Sequence, residues 1–325
     1  MPFPLQRLPD PALKHIFRCM TPLELIAISV LSTELSGLAK SMKIRADRLD
    51  IELEENVTID GDFQNGRLVF SFPSAGPDVL DEKPKNIEIF DRCDNNDLVW
   101  TDPGVTLRTY LERISRNFEC GNGIKIYFRT EHEVINMETL SKCVVPVTDT
   151  VIDHPCSAEY AQKILKFFGP LTKNVDIYDD LFRQHSSSFV QLIVISNYDE
   201  FWVSDISHAT LDNLLTFNAE SIIIRESSFA QVDVNRFIKL WMNGCIPRLK
   251  RLGIRHCMVD EIYNRNIVLR GIKYKEVRDV VKRTFGEEVI KGGCDIRSRN
   301  GRRATVLFNV YKFINEFNIV FYVWD

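Results

Sequence analysis

The chain has 325 residues, 45% of them apolar, and a formal net charge of −4, enough for a substantial core and more than one domain. So weak a charge gives no bulk field to attract nucleic acid or a membrane, and no apolar stretch approaches the roughly 20 residues of a spanning helix. The opening residues lack the basic start and continuous apolar core of a signal peptide, so a cytoplasmic or nuclear protein with neither partner is expected.

The first forty residues outline three short helices. Asp10 is positioned to cap a helix with Pro11 at its start, and Thr21 repeats the device with Pro22, adding Glu24 three residues after the cap as in a capping box. Ser32 can open a third helix. Leu13, Ile16, Phe17 and Met20 fall at helical spacing, as do Leu25, Ile28 and Leu31, and then Leu35, Leu38 and Met42. Helices this short cannot bury all of these residues alone, which marks a docking module.

These residues resemble the F-box, by which substrate receptors of Skp-cullin-F-box ubiquitin ligases hold a Skp-type adaptor. Leu8-Pro9 resembles the opening of the motif, Leu13 with Ile16-Phe17 its first helix, and Pro22, Glu24, Leu25 and Leu31-Ser32 the stretch leading into its second and third. The resemblance implies an adaptor-binding set of Leu8, Pro9, Leu13, Ile16, Phe17, Pro22, Leu25 and Leu31. One departure is that Thr33-Glu34-Leu35 lacks the aromatic many F-boxes carry after the Ser.

Residues 40–55 are charged and helix-compatible and read as a linker, giving an expected division into 1–45, a linker 46–56, a strand-helix region 57–190 and a domain 191–325. Asn65-Gly66, between Val57, Ile59 and Leu68, Phe70, predicts a hairpin. Residues 73–84, rich in Pro and Gly, read as a loop. From about residue 86 strands and helices alternate, as in parallel strands joined by crossover helices. Ile87 and Ile89 predict a strand. Asp102-Pro103 predicts the start of a helix carrying Leu107, Leu111, Ile114 and Phe118. Strands follow at Ile124, Ile126, Phe128 and at Val175, Ile177, with a helix over 157–168 between them. The pattern over 130–156 is weak.

Gln191–Ile195, Ser221–Arg225 and Arg251–Arg255 align at a spacing of 30 residues, with Leu192, Ile222 and Leu252 equivalent. Period-2 alternation aims Leu192, Val194, Ile222, Ile224, Leu252 and Ile254 at the core. Helices fit between them at Leu211, Leu214, Leu215 and at Val234, Phe237, Ile238, Trp241, with Gly244 just past the end. The expected fold class is therefore α/β: three N-terminal helices, then a leucine-rich-repeat-like strand-helix domain with a C-terminal hairpin; an open α/β sheet is the competing reading. The outward positions nominate Ile193, Ile195, Ile223, Arg225, Arg251 and Arg255 as target-binding residues. Their arginines point to an acidic or phosphorylated target.

A second resemblance covers residues 190 onward. Asn235-x-Phe237-Ile238-Lys239-x-Trp241, Gly244-x-x-Pro247-x-Leu249, Gly292-Gly293-Cys294-Asp295-Ile296-Arg297, the Asn300-Gly301-Arg302-Arg303 turn and the closing Val323-Trp324 are similar to the type 2 F-box-associated domain of the nematode-expanded F-box family. It implies a protein-interaction domain behind the F-box, and leaves the target unnamed. Physically, 295–297 and 304–308 flank Asn300-Gly301 as a hairpin, Arg297, Arg299, Arg302 and Arg303 read as its solvated tip, and Ile319, Phe321, Val323 and Trp324 suggest a last buried strand.

The eight cysteines are scattered without C-x-x-C pairs and read as buried small hydrophobes; His154-Pro155-Cys156 and His256-Cys257 have no second pair at metal-ligand spacing. There is no G-x-S-x-G, P-loop, H-E-x-x-H or kinase signature. No catalytic residue, metal or cofactor is expected. The resemblances imply a substrate-recognition subunit that binds a Skp-type adaptor, and a cullin through it; a non-degradative scaffold on the same adaptor is the alternative.

Overall fold

The computed structural model describes residues 8–64, 66–73, 76, 78–92, 96–180, 187–257, 264–311 and 316–324. The chain forms two compact units, 1–172 and 173–325.

Unit 1 opens with α1 (Asp10–Cys19), α2 (Pro22–Leu31) and α3 (Thr33–Ser41). The Thr21 capping box forms: its hydroxyl accepts from the Glu24 N–H, and the Glu24 carboxylate accepts from the Thr21 N–H at 2.7 Å. Ser32 caps α3 by accepting from the Leu35 N–H. At α1 the cap position belongs to Pro9, not Asp10, because the Pro9 carbonyl takes the first helical bonds from Ala12 and Leu13. Asp10 makes no cap bond and stays in the first turn, where its charge suits the helix dipole.

The expected linker is a strand. Arg45–Leu53 is β1, with Leu49, Ile51 and Leu53 buried and the charged residues between them on the other face. β2 (Asn56–Phe63) and β3 (Gly66–Pro73) form the predicted hairpin, paired Phe63 to Gly66, with Asn65 outside the described residues. β4 (Asn86–Asp91) and β5 (Asn96–Thr101) extend this antiparallel side. α4 (Leu107–Asn117) begins later than predicted, at the Thr106 cap; Asp102 has a left-handed φ of 45° ahead of Pro103 and cannot start a helix. β6 (Glu119–Cys120), β7 (Ile124–Phe128), α5 (Met137–Cys143), β8 (Val147–Ile152) and α6 (Ala158–Phe168) complete the unit. The strand order is β8-β7-β1-β2-β3-β4-β5, with β6 beside β1; β1, β7 and β8 are parallel. One face is an apolar core of Ile51, Ile59, Phe70, Phe72, Ile126 and Phe128 with Tyr110, Leu111 and Ile164 of the helices.

Unit 2 comprises β9 (Asn174–Asp180), α7 (Ser187–Val194), β10 (Glu200–Asp205), α8 (Leu211–Thr216), β11 (Ser221–Glu226), α9 (Gln231–Met242), β12 (Arg251–Cys257), α10 (Arg265–Val268), β13 (Tyr274–Phe285), β14 (Glu288–Arg297), β15 (Arg303–Tyr311) and β16 (Glu316–Trp324). Its strand order is β13-β14-β15-β16-β12-β11-β10-β9, parallel from β9 to β12 and antiparallel beyond.

The 30-residue register holds between β11 and β12, where Ile222 pairs with Leu252 and Ile224 with Ile254. It fails before them. Residues 191–194 are the end of α7, and Ile193 and Val194, adjacent in sequence, are both buried, as a helix allows and an alternating strand does not; the side chain of Leu192 lies outside the described residues. The strand beside β11 is β10, so the matched positions Val175, Phe201, Ile222 and Leu252 are separated by 26, 21 and 30 residues. A uniform leucine-rich-repeat-like array is not seen among the described residues. α9 behaves as predicted: Trp241 packs edge-on against Phe321 at 4.8 Å and Phe237 meets the same ring at 6.2 Å, and Gly244 takes a positive φ past the helix end. The C-terminal hairpin is β14–β15, with Arg297 opposite Arg303; β13, twelve residues long and mostly exposed, was not foreseen.

Candidate functional site

Two surfaces are candidates. The first is the N-terminal helical module, whose core is Phe17, Leu25 and Ala39, ringed by half-buried Leu13, Met20, Ile28, Leu35, Leu38 and Met42. Phe17 and Leu25 are each 1% exposed, so in this conformation they hold the helices together and offer no contact area. Of the sequence-nominated adaptor set, Leu8, Leu13, Ile16 and Pro22 are half-buried, Pro9 is exposed, and Leu31 at the end of α2 is 72% exposed. The module is fastened to α4, where Asn117 and Ser36 hydrogen-bond in the interior and Arg113 donates to Ser36 at 3.1 Å and to Thr33 at 3.0 Å. This anchor fixes the α2–α3 side and leaves Pro9 and Leu31 to solvent.

The second surface is the face of the unit 2 sheet opposite α9. Strand pairing brings Trp202, Ile223, Gly253 and Val320 into one row, with Arg251 beside Tyr322 and Arg255 beside Asn318. Arg225 stacks 4.1 Å over the Trp202 ring, which itself meets Tyr178 at 4.8 Å. Arg251 is tethered to Glu288 at 2.8 Å and lies over Tyr322 at 5.8 Å. A small cleft of about 190 Å³ opens among these residues. Arg251 Nε and Asn318 Oδ1 line it, buried and without hydrogen-bond partners. An unpaired buried donor and acceptor cost about 1–3 kcal/mol each, which a bound polar group would recover.

The β13–β14 hairpin bounds this face. It bends at Gly292 and Gly293, which take φ of 67° and 100°; a Cβ on Gly293 would lie 2.6 Å from Thr305 Cγ2, so only glycine fits. The bend lays Ile290 and Phe285 against Val320, Tyr322 and Trp324. Of the target-binding positions nominated from sequence, Ile223, Arg225, Arg251 and Arg255 therefore share this face, whereas Ile193 is 2% exposed on α7 and Ile195, 56% exposed, follows that helix outside the sheet. Trp202 and Tyr178 were missed; only the β10 register reveals them.

The arginines of the C-terminal turn do not act as one group. Arg302 donates to the carbonyls of Pro247 at 2.7 Å and Leu249 at 3.0 Å and is structural, while Arg297 and Arg303 face the solvent.

Burial pushes the thiols of Cys143 and Cys294 above the ordinary cysteine range, and burial with the Asp50 charge pushes Cys120 up to about 11, the opposite of an activated nucleophile. Cys19 and Cys245 are exposed, contrary to the buried role expected of them. Among the described residues no cluster of His, Cys, Asp and Glu is arranged to hold a metal ion, and no helix is long and apolar enough to cross a membrane.

Comparison with known proteins gives these surfaces a context. The F-box domain family matches residues 5–47, which contain α1–α3, and the F-box associated family matches residues 189–254, from α7 into β12. The chain is 22% identical over 315 residues, 95% of both proteins, to the F-box associated domain-containing protein sdz-33 of Caenorhabditis elegans. No solved structure matches it. Neither matching family is a catalytic one. The chain thus carries an F-box at its N-terminus and an F-box associated domain in its C-terminal half.

Proposed function

We propose that the protein is the substrate-recognition subunit of a Skp-cullin-F-box ubiquitin ligase. The N-terminal helices bind a Skp-type adaptor, and a cullin through it, while the exposed face of unit 2 binds the target. The observation that carries the reading is the pairing of an F-box that leaves Leu31 and Pro9 exposed with an arginine-aromatic sheet face bearing unsatisfied polar atoms. Such a subunit contributes proximity, holding a target lysine near the charged ubiquitin carrier. Adaptor contact is assigned to Leu31, Pro9, Ile16, Leu13, Leu8 and Pro22, with Phe17 and Leu25 as the internal support. Target contact is assigned to Ile223, Arg225, Arg251 and Arg255, joined by Trp202.

The test is co-purification of the full chain with adaptor and cullin, compared with Leu31→Asp. Deleting residues 1–45 is unsuitable, since it would expose the face of α4 that Ser36 and Thr33 cover. Loss of both proteins from Leu31→Asp, with the fold retained, is expected. Adaptor recovery without cullin from the wild-type chain would favour the scaffold reading, and no adaptor at all would overturn the proposal.

A further inference from the structure

At the far end of unit 2, beyond the hairpin bend, lies a cleft of about 770 Å³ whose lining includes Lys273, Lys275, Arg297, Arg303, Arg283 and Trp324. Its volume falls in the range of small-ligand and side-chain pockets. Five cationic side chains line it against one carboxylate, Asp295. That carboxylate is already engaged: it accepts from Arg283 at 2.7 Å and from the Thr305 hydroxyl at 2.6 Å. Thr305 in turn accepts from the Trp324 ring N–H at 2.7 Å, and Arg283 lies 5.0 Å over that ring. The floor is thus a fixed network of Arg283, Asp295, Thr305 and Trp324, and within it Arg283 Nε is buried without a partner.

The rim differs from the floor. Lys273, Lys275, Arg297 and Arg303 are all exposed, and among the described residues none of them makes an ion pair or a side-chain hydrogen bond. Arg297 and Arg303 are directly paired neighbours on β14 and β15, and Lys275 is opposite Asp295 on the next strand. Like charges held side by side on a sheet are unfavourable, and the one carboxylate nearby, Asp295, is already held by Arg283 and Thr305. An unpaired lysine is ordinary on a surface. Four unpaired cations around one cleft, over a floor with an unsatisfied guanidinium nitrogen, are not.

We infer that this cleft is an anion-binding subsite for an acidic peptide segment, whose carboxylate or phosphate groups sit between Arg297, Arg303 and Lys275. The inference rests on the receptor reading above and supplies the chemistry of what the receptor holds. Guanidinium groups take both anions in a two-pronged geometry, and the lysines add point charge. A peptide fits better than a nucleic acid. The cleft is bounded rather than a continuous basic track, and the Trp324 ring, occupied by Arg283, is not offered for base stacking.

The test uses the purified full chain and fluorescence anisotropy with four labelled probes of equal length: a peptide alternating Glu and Gly, the same peptide with phosphoserine for Glu, the same with Ser, and an oligo-dT. Binding of the Glu or phosphoserine peptide at least tenfold tighter than the Ser peptide is expected, and which of the two binds tighter identifies the source of the anion. Arg297→Gln with Arg303→Gln should weaken that binding at least tenfold at an unchanged unfolding midpoint. Should that pair fail to fold, Lys273→Gln with Lys275→Gln approaches the cleft from the exposed opposite rim and should weaken binding at least threefold. Equal binding of the acidic and Ser peptides, wild-type affinity in the folded variants, or tighter binding of oligo-dT than of either acidic peptide would overturn the inference. The assay needs no adaptor: absent peptide binding with intact adaptor recovery sinks this inference alone, and the converse sinks the F-box reading alone.

Discussion

On the polar sheet face of unit 1 the arginines end on carboxylates. Arg48 reaches Asp50, Asp60 and Asp62 within 3.4 Å, Arg67 grips Asp60 through both Nε and a terminal nitrogen, and Arg129 meets Glu52, Glu54 and Asp153 within 3.2 Å. On the corresponding face of unit 2, Arg225 ends on an indole ring, while Arg297 and Arg303 end on no acidic group among the described residues. Both faces are built by the same alternation on a sheet with a helix-covered reverse. The first has satisfied its charge internally and has little left to offer a partner. The second pairs Arg251 with Glu288 and Arg283 with Asp295 but leaves Arg297 and Arg303 without an acidic partner among the described residues, and that difference is a reason for proposing unit 2 as the recognition surface.

The helix-covered faces should behave alike in the two units. Trp241→Ala in unit 2 and Tyr110→Ala in unit 1, both 1% exposed, should each cost about 3–5 kcal/mol in urea unfolding, since each leaves a large cavity beside an aromatic neighbour. A soluble variant with an unshifted midpoint would show that the assigned helix does not cover its sheet.

The polar faces should then diverge, first in pH dependence. Burial, partly offset by Arg48 and reinforced by Asp60, raises the Asp50 carboxyl from 3.8 to about 6. The folded state therefore holds this proton more tightly than the unfolded chain. The resulting stability is fully present below about pH 4 and is lost as pH rises through about 6. Asp50→Asn should gain on the wild type across that window by up to about 3 kcal/mol, less the Arg48 contact it gives up. Parallel stability–pH curves for the two proteins would contradict the assignment. Charge removal provides the next contrast. Asp60→Asn, which strips two arginines of a buried acceptor, should cost about 2 kcal/mol, whereas Arg303→Gln should cost less than about 0.5 kcal/mol; equal losses would erase the distinction between the faces. The smallest expected effect is at the proposed adaptor surface, where Leu31→Ala should weaken adaptor binding by about 1 kcal/mol or more without touching stability, measured by calorimetric titration beside Phe17→Ala, which should lose binding only through unfolding.

Much of this was legible in the residues. The Thr21–Glu24 box, the Ser32 cap, the existence of the β2–β3 hairpin, the α9 stripe and the 222/252 register are local signals with one physical solution. What misled was competition between signals. In 45–53, charged residues with good helix propensity hide the alternation of Leu49, Ile51 and Leu53, and sheet pairing on both sides decides the outcome. The run 191–195 is too short for periodicity to separate a buried helix from a strand, and an accidental match to a true repeat spacing supplied the wrong answer. The proposed face was half visible: that Ile223, Arg225, Arg251 and Arg255 share it follows from alternation once β11 and β12 are aligned. Trp202 and Tyr178 required the register of β9 and β10, and the basic cleft required the bend at Gly292 and Gly293 that no local pattern announces. The burial of Phe17 and Leu25 was equally hidden, because spacing shows which side chains share a helix face and not what that face meets.

The most direct measurement of the central claim is quantitative mass spectrometry of proteins co-purifying with the full chain and with its Arg225→Glu, Arg255→Glu variant, adaptor recovery serving as the internal reference. The account predicts adaptor at wild-type level together with a set of partners reduced at least tenfold in the variant. Unchanged recovery of every partner, with adaptor also unchanged, would contradict it and remove the open face of unit 2 from the recognition surface.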